Sequence, residues 1–249
     1  MFKIFKKNKG LNRQILKSRR DDLIVHLNPK SPVAEAYRGI RTNLSFISPD
    51  RPLQTLLITS SGAAEGKSMT LVNLAISIAQ GGKRVMIIDA DLRKPMQHKF
   101  FDLTNFSGLS NILTGEDSLE DELRETGIEG VSLLSTGVIP PNPSELLSSK
   151  RMENLLEAAS RKVDLVLIDA PPVMPVADAV ILGSKVDGVV LVVASNRTHQ
   201  QMLLKTRENL DRVNARIIGT IFNWYPLKNN RSNYNYYHYY SEGRKVGRS

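Results

Sequence analysis

The sequence predicts an α/β protein whose central sheet is mostly parallel, with helices on both faces. Three observations carry that reading. Short apolar runs alternate with helical stretches along most of the chain. The runs at 85–88 (Val-Met-Ile-Ile) and 188–193 (Gly-Val-Val-Leu-Val-Val) lack polar alternation, which marks strands buried on both faces. A loop containing Gly62 and Gly66 stands between an apolar β-type run and a helical stripe, the context of a phosphate-binding turn.

The elements follow in order. Residues 1–30 read as a basic, irregular leader. Ser31-Pro32 suits an N-cap with proline at the first helical position, opening a helix that runs to about Ser48 and ends at Pro49 and Pro52. Strands are expected at 55–59, 85–88, 131–134, 164–168, 188–193 and 216–222. After the loop, Leu71, Leu74, Ala75 and Ile78 recur at helical spacing. From Pro226 the composition collapses to Asn, Tyr, Arg, Lys, Gly and Ser, so 226–249 is expected to be a disordered tail. The organisation is thus a leader (1–30), one domain (31–225) and a tail (226–249); 249 residues with 41% hydrophobic content suffice for a single large core.

Composition excludes several classes. No run of eighteen apolar residues suggests a transmembrane helix, and no apolar stretch follows Lys3, Lys6, Lys7 and Lys9 to make a secretory signal. With zero cysteines there are no disulfides, thiolate metal sites or iron–sulfur ligands. The net charge of +9 is uneven: residues 1–20 hold eight basic residues and no acid, the tail carries +4, and 21–225 is left with −3. A mildly acidic body does not suit a nucleic-acid surface. The leader, with Phe2, Ile4 and Phe5 among its lysines, reads either as a lipid-headgroup arm or as a solvated segment.

The chemistry concentrates at strand ends. In Ser61-Gly62-Ala63-Ala64-Glu65-Gly66-Lys67-Ser68, successive backbone N–H groups and the following helix N-terminus attract phosphate. Lys67 suits the β- and γ-phosphates and the Ser68 hydroxyl suits Mg²⁺. Ser61 stands where the pattern has its first glycine. Asp89 and Asp91 lie where a buried strand leaves the sheet; they either face a ligand or cap the next helix. Asp169 closes the run Leu165-Val166-Leu167-Ile168, a pattern whose carboxylate holds Mg²⁺ or its water. Together these strand ends predict binding of a nucleoside triphosphate such as ATP with Mg²⁺.

Two features lie outside that cluster. Five of the seven tyrosines (Tyr234, Tyr236, Tyr237, Tyr239 and Tyr240) fall within seven residues, as a functional cluster or a sticky low-complexity tail. Glu35, Arg38 and Arg41, spaced three apart, would share one helix face, either merely solvated or meeting a partner's carboxylates.

The set as a whole resembles the bacterial tyrosine kinases of capsule and exopolysaccharide synthesis, which have a P-loop NTPase fold. It comprises the loop ending Gly66-Lys67-Ser68, the string Ile88-Asp89-Ala90-Asp91-Leu92-Arg93-Lys94-Pro95, and Ile168-Asp169-Ala170-Pro171-Pro172. To these it adds Pro140-Pro141-Asn142-Pro143-Ser144-Glu145-Leu146-Leu147, the Glu-x-x-Arg-x-x-Arg helix and the terminal tyrosines, covering about Ser31 to Tyr240. The aspartate-rich string is the most diagnostic part. The resemblance implies that Ser61 through Met69 surround the nucleotide, that Ser68, Asp89 and Asp169 hold the metal, and that Asp91 is the general base. It implies autophosphorylation of the tail tyrosines by a neighbouring copy in a ring-shaped homo-oligomer built through Glu35, Arg38 and Arg41. It also implies a separate membrane-spanning activator, a cognate phosphotyrosine phosphatase, tyrosine-bearing protein substrates, no nucleic-acid partner, and a cytoplasmic location at the inner membrane face. Two positions depart from the family: Ala63-Ala64 replaces the usual Pro-Gly and Met69 the usual Thr. Alanine lacks glycine's freedom at positive φ, so loop geometry is open there.

Two alternatives share these features. Septum-site and partition ATPases carry a signature lysine five positions before the loop lysine, where this chain has Gly62. A non-catalytic ATP-binding regulator would use the tail only for docking.

Overall fold

The computed structural model describes residues 19–48 and 52–225. The leader up to residue 18, Pro49 and the tyrosine cluster lie outside the described residues. The sheet has seven strands: β1 (Thr55–Ser60), β2 (Val85–Asp89), β3 (Leu123–Glu125), β4 (Val131–Leu134), β5 (Leu165–Asp169), β6 (Gly188–Ala194) and β7 (Ile217–Asn223). Their order is β3-β4-β2-β5-β1-β6-β7, and every neighbouring pair is parallel except β3 with β4. All six expected strands form. The seventh, β3, is a three-residue antiparallel edge.

The helices are α1 (Ile24–Leu27), α2 (Pro32–Ile47), α3 (Lys67–Ala79), α4 (Gln97–Phe100), α5 (Leu109–Thr114), α6 (Leu119–Glu122), α7 (Pro143–Ser148), α8 (Lys150–Lys162), α9 (Asp178–Gly183) and α10 (Gln200–Asp211). Ser31 caps α2 by accepting a hydrogen bond from the Ala34 N–H at 3.1 Å, with Pro32 at the first helical position. Among the described residues, no helix is long and apolar enough to cross a membrane.

Strand residues feed two cores by simple alternation. Leu56 and Ile58 of β1, Val85 and Ile87 of β2, and Leu165 and Leu167 of β5 pack with α1–α4 on one face. Leu57, Met86, Ile88, Val166 and Ile168 pack with α5–α10 on the other. The continuous apolar runs are therefore two half-patterns interleaved, each serving its own layer of helices.

The segment ahead of Ser31, read as an irregular leader, differs in its described part. Arg20–Asp22 form a 3₁₀ turn, α1 follows, and Leu23 and Val25 are buried. Much of the cause is Asn73, a buried amide on the face of α3 that meets this segment. Its Oδ1 accepts from the Val25 N–H at 3.0 Å, and its Nδ2 donates to the carbonyls of Asp22 (2.9 Å) and Met69 (3.0 Å). Local propensity gives a four-residue helix nothing to stand on; the tertiary amide supplies it.

Candidate active site

In a parallel sheet the carboxyl ends of neighbouring strands share one edge. Here β2, β5 and β1 are adjacent, and Asp89 and Asp169 are paired in register at the ends of β2 and β5. The loop after β1 turns back at that edge. Ala64 sits at φ 59° and Gly66 at φ 87°. A Cβ on Gly66 would lie 2.0 Å from Asn223 Nδ2, so glycine is required there by crowding as well as by the backbone. Glu65 is buried and braces the turn: Oε2 accepts from the Ser61 N–H (3.2 Å) and Oε1 from the Thr198 hydroxyl (2.8 Å).

Lys67, the first residue of α3, meets the acids at this edge. Its ammonium donates to Asp91 Oδ2 at 2.9 Å, Asp169 Oδ1 at 3.0 Å and Ser68 Oγ at 3.2 Å. Asp89 lies alongside, buried, but its contacts are different: Oδ2 accepts from the backbone N–H groups of Met96 (2.9 Å) and Gln97 (2.8 Å). Asp91 Oδ1 accepts from the Lys94 N–H at 3.0 Å. Of the two readings open for these aspartates, the backbone one is seen: one oxygen of each accepts from the following turn. The second Asp91 oxygen holds Lys67; the second Asp89 oxygen, Oδ1, is buried with no hydrogen-bond partner.

The electrostatics follow from burial. Desolvation works against the Lys67 ammonium, but the charges of Asp169 and Asp91 more than offset it and hold its pKa above the ordinary lysine value. Burial, then the neighbouring Asp169 charge, push the Asp89 carboxyl up to about 7, despite the opposing backbone hydrogen bond from Gln97.

Two hard-oxygen acids and a hydroxyl suit Mg²⁺, and the orphaned Asp89 Oδ1 is a donor atom left over. Among the described residues, no group of three or more His, Cys, Asp or Glu could hold a metal by itself. Mg²⁺ bound with a nucleotide commonly keeps several waters and takes phosphate oxygens alongside one or two carboxylates.

The motif strings also lock to one another. Arg93 grips buried Asp178 of α9 through Nε (2.8 Å) and Nη2 (3.1 Å), and Ser144 of α7 donates to the same carboxylate at 2.6 Å. Thr136 donates to the Asp89 carbonyl at 2.7 Å. The α2 charges do not form a single outward face. Glu35 pairs with Arg38 at 2.6 Å, while Arg41 turns inward to donate to the Ser77 carbonyl at 2.6 Å.

Sequence reasoning passed over Gln97, Thr198 and Asn223. Asn223 is the polar end of an apolar strand, the same signal that exposed Asp169, and its amide donates to the Glu65 carbonyl at 3.0 Å. Gln97 carries no such signal.

Comparison with known proteins agrees with the geometry. Residues 53–247 match the family model described as ParA, NUBPL iron-transfer P-loop NTPase. Tyrosine-protein kinase YwqD of Bacillus subtilis (strain 168) is 42% identical over 93% of this chain and 95% of its own length. This chain belongs to the bacterial tyrosine-protein kinases. Tyrosine-protein kinase etk of Escherichia coli (strain K12) is 35% identical over 88% of the kinase described here, which spans only 30% of etk's length. The solved structure of the chimerical protein CapA2B2 superposes with a TM-score of 0.79 at 39% identity, covering 84% of this kinase and 92% of that chain. The kinase domain of Escherichia coli tyrosine kinase ETK gives 0.78 at 35% identity, covering 81% and 79%. The cell-division ATPase MinD of Pyrococcus furiosus, at 19% identity and a TM-score of 0.61, shares the fold alone. As a P-loop NTPase the kinase binds nucleotide.

Proposed function

We propose that this kinase transfers the γ-phosphoryl group of ATP, with Mg²⁺, to tyrosines Tyr234, Tyr236, Tyr237, Tyr239 and Tyr240 of a neighbouring copy's tail. The observation that carries the reading is Lys67 set between Asp91 and Asp169 at 2.9 and 3.0 Å, with Asp89 beside them. Ser68, Asp89 and Asp169 hold the metal, which when bound neutralises charge on the β- and γ-phosphate oxygens. Lys67 leaves its carboxylates for those oxygens, since phosphate offers it the greater negative charge. That movement frees Asp91 Oδ2, which takes the phenol proton as the tyrosine oxygen bonds to phosphorus and the bond to the ADP oxygen breaks. The tyrosine's ordinary pKa of about 10 is why a base helps, and the loose transition state is why positioning matters more.

The kinase works in a homo-oligomer, with Glu35 and Arg38 of α2 at the interface and Arg41 fixing α2 against α3. A separate membrane-spanning activator places it at the inner face of the membrane. The small share of etk's length that it covers is the support for that division of labour. A putative tyrosine-protein kinase in the cps region of Klebsiella pneumoniae, 40% identical over 70% of this chain, supports a role in capsule or exopolysaccharide synthesis. A phosphotyrosine phosphatase resets the tail.

The test is incubation of the full chain with γ-labelled ATP and Mg²⁺, with and without the activator's cytoplasmic segment. Label that disappears when all five tail tyrosines become phenylalanine supports the proposal. ATP hydrolysis with no labelled protein points to a partition-type ATPase, and nucleotide binding with neither outcome to a regulator.

A further inference from the structure

Gln97 has no part in the chemistry above, yet it bonds to Asp89, Asp169 and the backbone of Ser68. Its side chain is fully buried. Nε2 donates to Asp169 Oδ2 at 2.7 Å and to the Ser68 carbonyl at 3.2 Å, and its backbone N–H donates to Asp89 Oδ2 at 2.8 Å. One residue thus joins both metal-facing acids to the first turn of α3.

Its Oε1 is the anomaly. It is buried and accepts no hydrogen bond, as is Asp89 Oδ1 in the same cluster. Buried polar atoms in folded proteins are nearly always paired, so two orphans at one site ask for a common explanation. Both are acceptors. The two side-chain donors that bind this cluster's acids are already committed: the Lys67 ammonium to Asp91, Asp169 and Ser68, and the Gln97 amide to Asp169 and the Ser68 carbonyl. A triphosphate does not help, because it brings only more acceptor oxygens. A hydrated divalent cation does. Mg²⁺ keeps several waters, and a metal-bound water has given its lone pair to the ion and offers its hydrogens.

We propose that Gln97 is a positioning residue for the hydrated metal. Nε2 fixes the orientation of Asp169, and Oε1 accepts a hydrogen bond from a metal-bound water. The inference rests on the Mg²⁺–nucleotide reading of the site. It explains why an amide is placed here: a carboxylate could accept but not hold Asp169, and an apolar side chain could do neither. Outer-shell partners of this kind typically change metal affinity about 10- to 100-fold when removed.

The experiment measures binding of a fluorescent, non-hydrolysable ATP analogue to the full chain, once with Mg²⁺ and once with EDTA. The readout is the EDTA dissociation constant divided by the Mg²⁺ one. In the unaltered protein the metal tightens binding; if it does not, the site reading itself fails, independently of Gln97. Gln97→Leu is expected to lower the ratio about 10-fold while moving the EDTA value less than about twofold. If Gln97→Leu does not fold, Gln97→Met, which keeps the length and lacks both the amide donor and the amide oxygen, decides on the same ratio. A residue that only braces the fold lowers the melting temperature and leaves the ratio unchanged in Gln97→Leu or Gln97→Met, and that result overturns the proposal.

Discussion

Lys67 Nζ lies 2.9 Å from Asp91 Oδ2, so the lysine assigned to phosphate and the acid assigned to the tyrosine proton hold each other. With side chains only 11% and 6% exposed, the pair is shielded from water. On the proposed roles, base and cation are stored together until phosphate separates them. Asp91→Asn is expected to lower tail labelling by about 10²- to 10⁴-fold without abolishing it, since base catalysis is the smaller part of phosphoryl transfer. Initial rates with labelled ATP measure this; full activity in that variant removes Asp91 from the role.

Lys67→Met should abolish labelling and also weaken the nucleotide-free fold. Removing the cation strands Asp91 and Asp169 in a buried site, and breaking a buried pair from one side costs about 3–5 kcal/mol. Urea unfolding in EDTA is the measurement, and an unchanged midpoint contradicts it.

Asp89 gives a pH signature. Its carboxyl is raised from 3.8 to about 7 in the folded chain, so folding favours the protonated form. The stability it contributes is fully present below 3.8 and is lost as pH rises through about 7. In nucleotide-free protein, Asp89→Asn cannot ionise and should lack this decline. The melting temperature of the variant relative to the unaltered chain should therefore climb between pH 4 and pH 7, then level off.

Ala64 occupies the left-handed region at φ 59°, where an L-residue costs roughly 1–2 kcal/mol and glycine does not. Ala64→Gly should therefore raise unfolding stability by about 1 kcal/mol, less glycine's entropy in the unfolded chain. Denaturant titration checks it.

Asn73→Leu should cost about 1–3 kcal/mol, because the buried Val25 N–H loses its acceptor. Hydrogen exchange should accelerate in 20–27 first, ahead of the sheet.

Five phosphotyrosines would add roughly −8 to −10 of charge, against the tail's +4. Repulsion between tails should loosen the oligomer, so light scattering should give a lower mass for the phosphorylated protein than for the Tyr→Phe variant.

The sheet was legible because the information is local: an apolar run ending in a polar residue marks a strand and its functional end together. Lys67, Asp91 and Asp169 could be grouped from sequence since parallel strands deliver their ends to one edge. What stayed hidden depends on tertiary contact. Leu123–Glu125 is too short and too polar to announce an edge strand, and Leu23 and Val25 join the core through tertiary bonds to Asn73 and Gln80. Helical spacing placed Arg41 with Glu35 and Arg38, but a long side chain can bend away from its stripe, as Arg41 does toward Ser77. Gln97 looks like any helix-surface glutamine until the strand ends close around it.

The Asn223 amide, bound to the Glu65 carbonyl, comes two residues before the described chain ends at Tyr225. The prop on the nucleotide loop thus comes from the end of β7, eleven residues before Tyr234, the first of the clustered tyrosines. A chimera joined after Tyr225 inherits the prop whole, whereas one joined ahead of Asn223 discards it. A peptide joined after Tyr225 is therefore expected to leave the brace on Glu65 in place.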